Sequence, residues 1–177
     1  MTFLRALRTD DDAPWIQRFH APTVLWTMLA KALPERGVAA SNQSGIYQLH
    51  AWDVPSGDLR QLTYKPQGVV FGSISPDGRY VYYFDDEAGN EIGHWVRIPF
   101  EGGTVQMVTP DMAPYSTTFL GFSPDSHALG FTAAKRDGFE VYAMSLGSQG
   151  ELSAPQSLFW SQRLTHGPTL SCDGGIG

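Results

Sequence analysis

Apolar and polar residues alternate along most of this chain in short runs, and turns cut the runs at nearly regular intervals. The stretch "SISPDGRYVYYF", Ser73 to Phe84, carries a Pro-Asp-Gly turn between two strand-like runs. Forty-eight residues on, "GFSPDSHALGFT" repeats its shape, and after another 48 "TLSCDGGIG" begins it again. Asp77, Asp125 and Asp173 mark that period, and Pro34 in "KALPERGVAAS" stands where Pro76 and Pro124 stand, at a spacing of 42. Such turns have a structural chemistry of their own. Proline presets φ, glycine tolerates φ > 0, and the aspartate accepts a backbone N–H from two residues on.

A period of about 40 to 50 residues is the length of a four-stranded propeller blade, and the units hold strand-like runs at matching offsets. After Pro76-Asp77-Gly78 come "RYVYYFDD", the polar loop "EAGNE", "IGHWVRIPF", the turn "EGG" and "TVQMVT". The next unit reads "HALGFTAA", "KRDG", "FEVYAMSL", "GSQG" and a weaker run around "QSLFW". The preceding one reads "GVAAS", "NQSG", "IYQLHAWDV", "PSGD" and "LRQLT". Trp52-Asp53, Arg97-Ile98 and Met144-Ser145 take related places near the ends of the third strands.

The innermost strand of each blade precedes its turn. "GVVFGSIS" and "STTFLGFS" fit, with β-branched residues and small glycines for a crowded centre. The upstream equivalent, Thr23 to Leu33, is rich in helix formers with apolar positions three and four apart, so local propensity predicts a helix while the repeat predicts a strand. The strand is the expectation adopted, because tertiary context overrides propensity. The fold class expected is therefore all-β, a partial TolB- or WD-like β-propeller. It comprises an N-terminal lead segment at 1–22, blades at 23–64, 65–115 and 116–163, and the start of a truncated fourth blade at 164–177.

Bulk properties narrow the function classes. The chain has 177 residues, 42% of them hydrophobic, and no stretch approaches the length of a membrane span. Its opening lacks a secretory apolar region, and a cytoplasmic location is expected. A formal charge of -6, with Lys and Arg scattered, argues against nucleic acid as a partner. The single cysteine, Cys172, excludes an internal disulfide and a cysteine-rich zinc site. The run Asp10-Asp11-Asp12 reads as a solvated segment.

Candidate chemistry is sparse. No Gly-x-Ser-x-Gly elbow, phosphate loop, HExxH or dinucleotide fingerprint occurs. Ser123, Asp125 and His127 supply the residue types of a hydrolase triad. They lie on the repeated turn, however, where Ser75 and Asp77 recur without a histidine, and this argues against catalysis. Asp85, Asp86, Glu87 and Glu91 form an acidic loop whose spacing is not that of an EF-hand, so a solvated hairpin loop is expected over a Ca²⁺ site. His20, His50, His94, His127 and His166 lack metal-ligand spacing. Trp15, Trp26, Trp52, Trp95 and Trp160 are spread across units; each could form a ligand-stacking platform, but packing between blades is the reading adopted. No catalytic, cofactor-binding or metal-binding residue is expected, and no cofactor.

Taken together, the SPDG-type turns, "YVYYFDDEAGNEIGHWVRIPFEGG", "AWDVPSGDLRQLT" and "PWIQRFHAPTVLW" resemble a known family. They look like the N-terminal β-propeller of bacterial serine peptidases of the prolyl oligopeptidase family, in the acylaminoacyl-peptidase or dipeptidyl-peptidase-like branch. The resemblance covers nearly the whole chain, although TolB-like propellers share the turns. It implies a propeller that restricts access to an active site and helps orient a peptide. The partners implied are a C-terminal α/β-hydrolase domain bearing Ser, Asp and His, and the peptide substrate. That domain lies outside these residues, no family residue role transfers to a position here, and the chain alone is expected to be inactive. The alternative is a non-enzymatic TolB- or WD-like module that binds proteins. Self-association through open blade edges is a further expectation.

Overall fold

The structure is a computed structural model that describes residues 8–171. Cys172 and the third repeated turn, with Asp173, lie outside the described residues. After one helical turn, α1 (Pro14–Gln17), begun by a proline at its first position, the described chain forms three antiparallel four-stranded sheets. Each is ordered as a simple meander. The first contains β1 (Val24–Leu29), β2 (Arg36–Ser41), β3 (Gln48–Asp53) and β4 (Leu59–Gln61). The second contains β5 (Ser73–Ile74), β6 (Tyr80–Asp86), β7 (Gly93–Pro99) and β8 (Gln106–Met107). The third contains β9 (Ser116–Phe122), β10 (Ala128–Lys135), β11 (Gly138–Ser145) and β12 (Gln156–Ser161). This is the partial propeller expected from the repeat.

The ambiguous stretch from Thr23 to Leu33 is a strand followed by a turn. β1 pairs antiparallel with β2, placing Trp26 opposite Ala40 and Leu29 opposite Gly37, and the ladder outweighs the helix propensity of its residues. The inner run before the Pro76-Asp77-Gly78 turn is shorter than its composition predicts. Its backbone is engaged elsewhere: Val69 N–H donates to the Tyr47 carbonyl at 2.8 Å, and the Trp26 indole donates to the Val70 carbonyl at 2.6 Å. That leaves Ser73 and Ile74 for the sheet. Conversely, the run around "QSLFW" is the longest of the three outer strands.

The repeated turns share one hydrogen-bond pattern. Ser75 Oγ donates to Asp77 Oδ1, which also accepts Arg79 N–H, and Tyr80 N–H closes the turn onto Ser75 Oγ. Ser123, Asp125, His127 and Ala128 repeat every one of these contacts. Gly78 takes φ 69° and Ser126, 48 residues on, takes φ 65°. The third strands also correspond. Trp52, Ile98 and Met144 face Gly37, Val81 and Leu129. Gly37 is required opposite Trp52, because a Cβ there would lie 2.8 Å from the indole.

Strand alternation sorts the core into two layers between the sheets. From β6, Val81 and Tyr83 point toward the first sheet and join Val38, Ala40, Leu49, Ala51, Val96 and Ile98. Tyr82 with its neighbours Tyr80 and Phe84 points toward the third sheet, against Leu129, Phe131 and Met144. Burial of each large side chain here contributes about 1.5–3 kcal/mol. Aromatic pairs add direction: Tyr82 meets Phe122 edge-on at 5.0 Å, and Phe131 stacks on Tyr142 at 5.2 Å.

Candidate functional site

The connection between the first two sheets, residues 65–72, and the inner strand of the third diverge around the loop end of β6. They leave a cleft of about 700 Å³. Its apolar wall includes Val69, Phe71, Phe84, Trp95 and Leu120, and Asp85, Asp86 and Glu91 contribute carboxylates. Phe71 is 76% exposed, so apolar area is on offer that the fold itself does not use.

The floor is held from beneath. Phe84 packs edge-on against Trp95 at 5.6 Å. The Trp95 indole N–H donates to Thr117 Oγ1 at 3.0 Å, and that hydroxyl donates on to the Thr132 carbonyl at 2.6 Å. The rim carries more negative than positive charge. Lys65 forms an ion pair with Asp85, and Asp86 Oδ2 accepts the backbone N–H of Glu91 at 2.8 Å. Ala88, Gly89 and Glu91 all take positive φ, which gives this loop its tight fold. Below the rim, burial and then the nearby Asp85 carboxylate push the Tyr83 phenol up to about 12.

This arrangement suits binding. It offers an apolar wall and carboxylate acceptors to a ligand that carries both an apolar group and a positive charge.

Ser123, Asp125 and His127 do come together, but in an order that cannot perform acyl transfer. Ser123 Oγ donates to Asp125 Oδ1 at 2.6 Å, while His127 Nδ1 lies 3.2 Å from Asp125 Oδ2. A nucleophilic serine needs the imidazole as its base, with the carboxylate behind it; here the carboxylate stands between the other two. The acceptor role of Asp125 is that of a turn: bonds from Ser123 and then from the His127 backbone hold its pKa below the usual carboxylate range.

The other histidines are dispersed. His50 is fully buried with Nδ1 3.0 Å from the Gln48 carbonyl, and His94 stacks edge-on against Tyr115. Among the described residues no three His, Cys, Asp or Glu side chains gather as a metal site. Of the tryptophans, Trp26 and Trp95 pack into the layers between sheets. Trp52 covers Gly37 within its own sheet, and Trp15 and Trp160 are exposed.

Sequence reasoning assigned no residue to the cleft. Asp85, Asp86, Glu91 and Trp95 were singled out, but as a solvated loop and as packing between blades; the signal passed over was Phe71 in "GVVFGS", an aromatic in a run predicted to be a crowded inner strand. Its exposure depends on the backbone leaving the sheet, which composition does not show.

No family model matches the chain, and no curated protein sequence matches it. Solved structures do. The putative TolB from Agrobacterium tumefaciens aligns with a TM-score of 0.51 at 21% identity, covering 72% of this chain and 47% of that one. An oligogalacturonate lyase solved with manganese aligns at 0.55 and 14% identity, covering 76% and 39%. The tricorn protease aligns at 0.52 and 12%, covering 70% and 14%. These likenesses show the fold. The chain spans less than half the length of each of these three proteins. Among the described residues no helix is long and apolar enough to cross a membrane.

Proposed function

We propose that this chain is the N-terminal propeller portion of a serine peptidase of the prolyl oligopeptidase type. In that role it contributes access control, a scaffold and a peptide-contacting cleft, and no catalytic group. The observation that carries the reading is the cleft beside Phe71 and Trp95, whose apolar wall and surplus of carboxylates match an extended peptide with a free amine or basic side chain. The sequence resemblance along nearly the whole chain supports it. The partners proposed are a C-terminal α/β-hydrolase domain and the peptide, with cytoplasmic residence.

A second reading, a non-enzymatic TolB-like module, is favoured by the likeness to the Agrobacterium protein in fold. Self-association belongs with it. The outer strand β12 ends its sheet and exposes Phe159 and Trp160, which supports edge pairing between copies.

Fluorescein-labelled hexapeptides that differ only in Lys or Glu beside a Phe separate the readings. Titrated with the full chain, the basic peptide is expected to bind at least tenfold more tightly, and Phe71→Ser or the Asp86→Asn/Glu91→Gln pair to abolish the preference. Aminoacyl nitroanilides are expected to stay uncleaved. Equal binding of both peptides, or binding indifferent to these substitutions, overturns the peptide-cleft reading.

A further inference from the structure

The second sheet differs from the other two at its inner strand. β5 has two residues, whereas β1 and β9 have six and seven. In the third sheet Phe119 pairs with Thr132, and Ser116 pairs with Ala134. The residues 48 places earlier are Phe71 and Phe84, and Gly68 and Asp86. Neither of these pairs forms: β5 meets β6 at Ser73–Tyr82 and Ile74–Val81 alone.

Register fixes where the uncovered backbone of β6 points. Ser75 N–H donates to the Tyr80 carbonyl on the inner side of β6, and Ser73 lies opposite Tyr82. Alternate residues of a strand turn their backbone groups to the same side, so those of Phe84 and Asp86 point inward as well. The β7 side agrees. Trp95, opposite Phe84, accepts the Val108 N–H, and Gly93, opposite Asp86, exchanges both of its backbone bonds with Tyr115. Neither turns its backbone groups toward β6. Among the described residues none bonds to the Phe84 amide or carbonyl.

Residues 68–72, which the repeat would lay along this edge, are held away from it. Val69 N–H is bonded to the Tyr47 carbonyl, and the Val70 carbonyl to the Trp26 indole. A Cβ on Gly68 would lie 2.7 Å from the Tyr47 carbonyl oxygen, and one on Gly72 2.5 Å from Leu49 Cδ1, so this path needs both glycines. The edge of β6 thereby becomes a wall of the cleft, with Phe71 to one side and Phe119 and Leu120 of β9 to the other. An unpaired strand edge inside a cleft offers an extended chain main-chain bonds that the fold leaves unused.

We infer that an extended peptide binds this cleft as an added strand, antiparallel to β6, in the place that Phe119 takes in the third sheet. The peptide residue opposite Phe84 exchanges two backbone bonds with it, and the residue two positions earlier exchanges two with Asp86. The residue opposite Phe84 is apolar. Its side chain stands on the same face as Phe84, which points toward the third sheet, where Leu120 also packs. The inference rests on the reading of the cleft as a peptide site. It adds the strand that the peptide pairs with, its direction, and the ligand class: a chain with free alternate amides, rather than any apolar cation.

The test uses the full chain and the basic hexapeptide with its Phe at the fourth position, methylated at one backbone nitrogen at a time. Methylation at the Phe nitrogen, or at that of the second residue before it, is expected to weaken binding at least tenfold. Methylation at the residue between them should cost less than twofold, because that amide faces away from β6. Amide hydrogen exchange followed by NMR supplies a second readout. The unmethylated peptide should slow exchange at least tenfold more at Phe84 than at Tyr83, whose amide already faces β7. If the unmethylated peptide binds, every methylated one binds as tightly and Phe84 exchange is unchanged, strand addition is overturned and the peptide cleft stands. No binding of the unmethylated peptide overturns both. A Phe84 amide already protected in the free chain would show residues 69–71 pairing with β6 themselves, and this too overturns the inference.

Discussion

Arg97 in β7 donates through Nη1 to the carbonyl oxygen of Gly150, 53 residues away in the turn of the next sheet. Its guanidinium lies 4.2 Å over the Tyr80 ring, Nε donates to Gln106, and the residue is 8% exposed. A buried planar cation with acceptors in two directions and an aromatic face below it is a geometry lysine cannot reproduce. Arg97→Ala should therefore destabilise the chain by about 2–3 kcal/mol, since it strands the buried Gly150 carbonyl and empties space in one step. Arg97→Lys should recover less than half of that. Urea denaturation with an unchanged m-value checks both, and a loss below about 0.5 kcal/mol for the alanine variant would show the latch to be incidental.

The latch also shows where sequence reading stopped. Period, turn chemistry and strand alternation were legible because each is local: Asp77 and Asp125 bond within their own turns, and Tyr82 and Tyr83 part to opposite faces by the pleat alone. The arginine contacts were not legible, because Arg97 meets Gly150 only once two sheets are stacked. The same holds for the cleft. Phe71 sits in a run composed like a strand, and it is exposed because Val69 and Val70 spend their backbone groups on Tyr47 and Trp26. The helical composition of Thr23 to Leu33 misleads for the converse reason. Five of its residues pair with β2, and no local propensity of a few tenths of a kcal/mol per residue competes with a ladder.

Gly78 and Ser126 occupy the same left-handed position in two copies of one turn, and they should respond oppositely to substitution. A non-glycine residue there costs about 1–2 kcal/mol in backbone conformation, offset in part by the lower chain entropy it gives up on folding. Ser126→Gly is expected to stabilise by about 0.5 kcal/mol. Gly78→Ala should destabilise by more than 1 kcal/mol, since its Cβ would also press on the Arg36 side chain at 3.1 Å. Thermal midpoints of the two variants should move in opposite directions; movement in the same direction would break the equivalence of the turns.

Glu140 on β11 ties the third sheet to its outer strand. Burial raises its pKa, but bonds from Lys135, Ser157 and Tyr142 more than reverse this, and the carboxyl is held at about 2, below its ordinary 4.5. A folded-state value below the unfolded one means stability that is whole above pH 4.5 and lost as pH falls toward 2. Glu140→Gln should flatten that part of the acid limb in a stability-pH series. An unchanged slope between these pH values would place the acid sensitivity in other carboxylates.

His50 sets a second acid limb at milder pH. Its ring is fully buried on β3, and burial first, against weaker support from the Gln48 and Ala39 carbonyls, pushes its pKa down from 6.5. The unfolded chain then binds a proton that the folded chain resists, so stability is whole above pH 6.5 and declines as pH falls through the depressed folded value. His50→Gln keeps a polar side chain at the site without a titrating group. It should make stability independent of pH across the window just below 6.5, at the cost of a lower plateau, because the imidazole packs where the amide does not. Denaturation midpoints from pH 7.5 to 5 read this directly. If the parent and the variant decline in parallel, His50 is not the group that sets this limb.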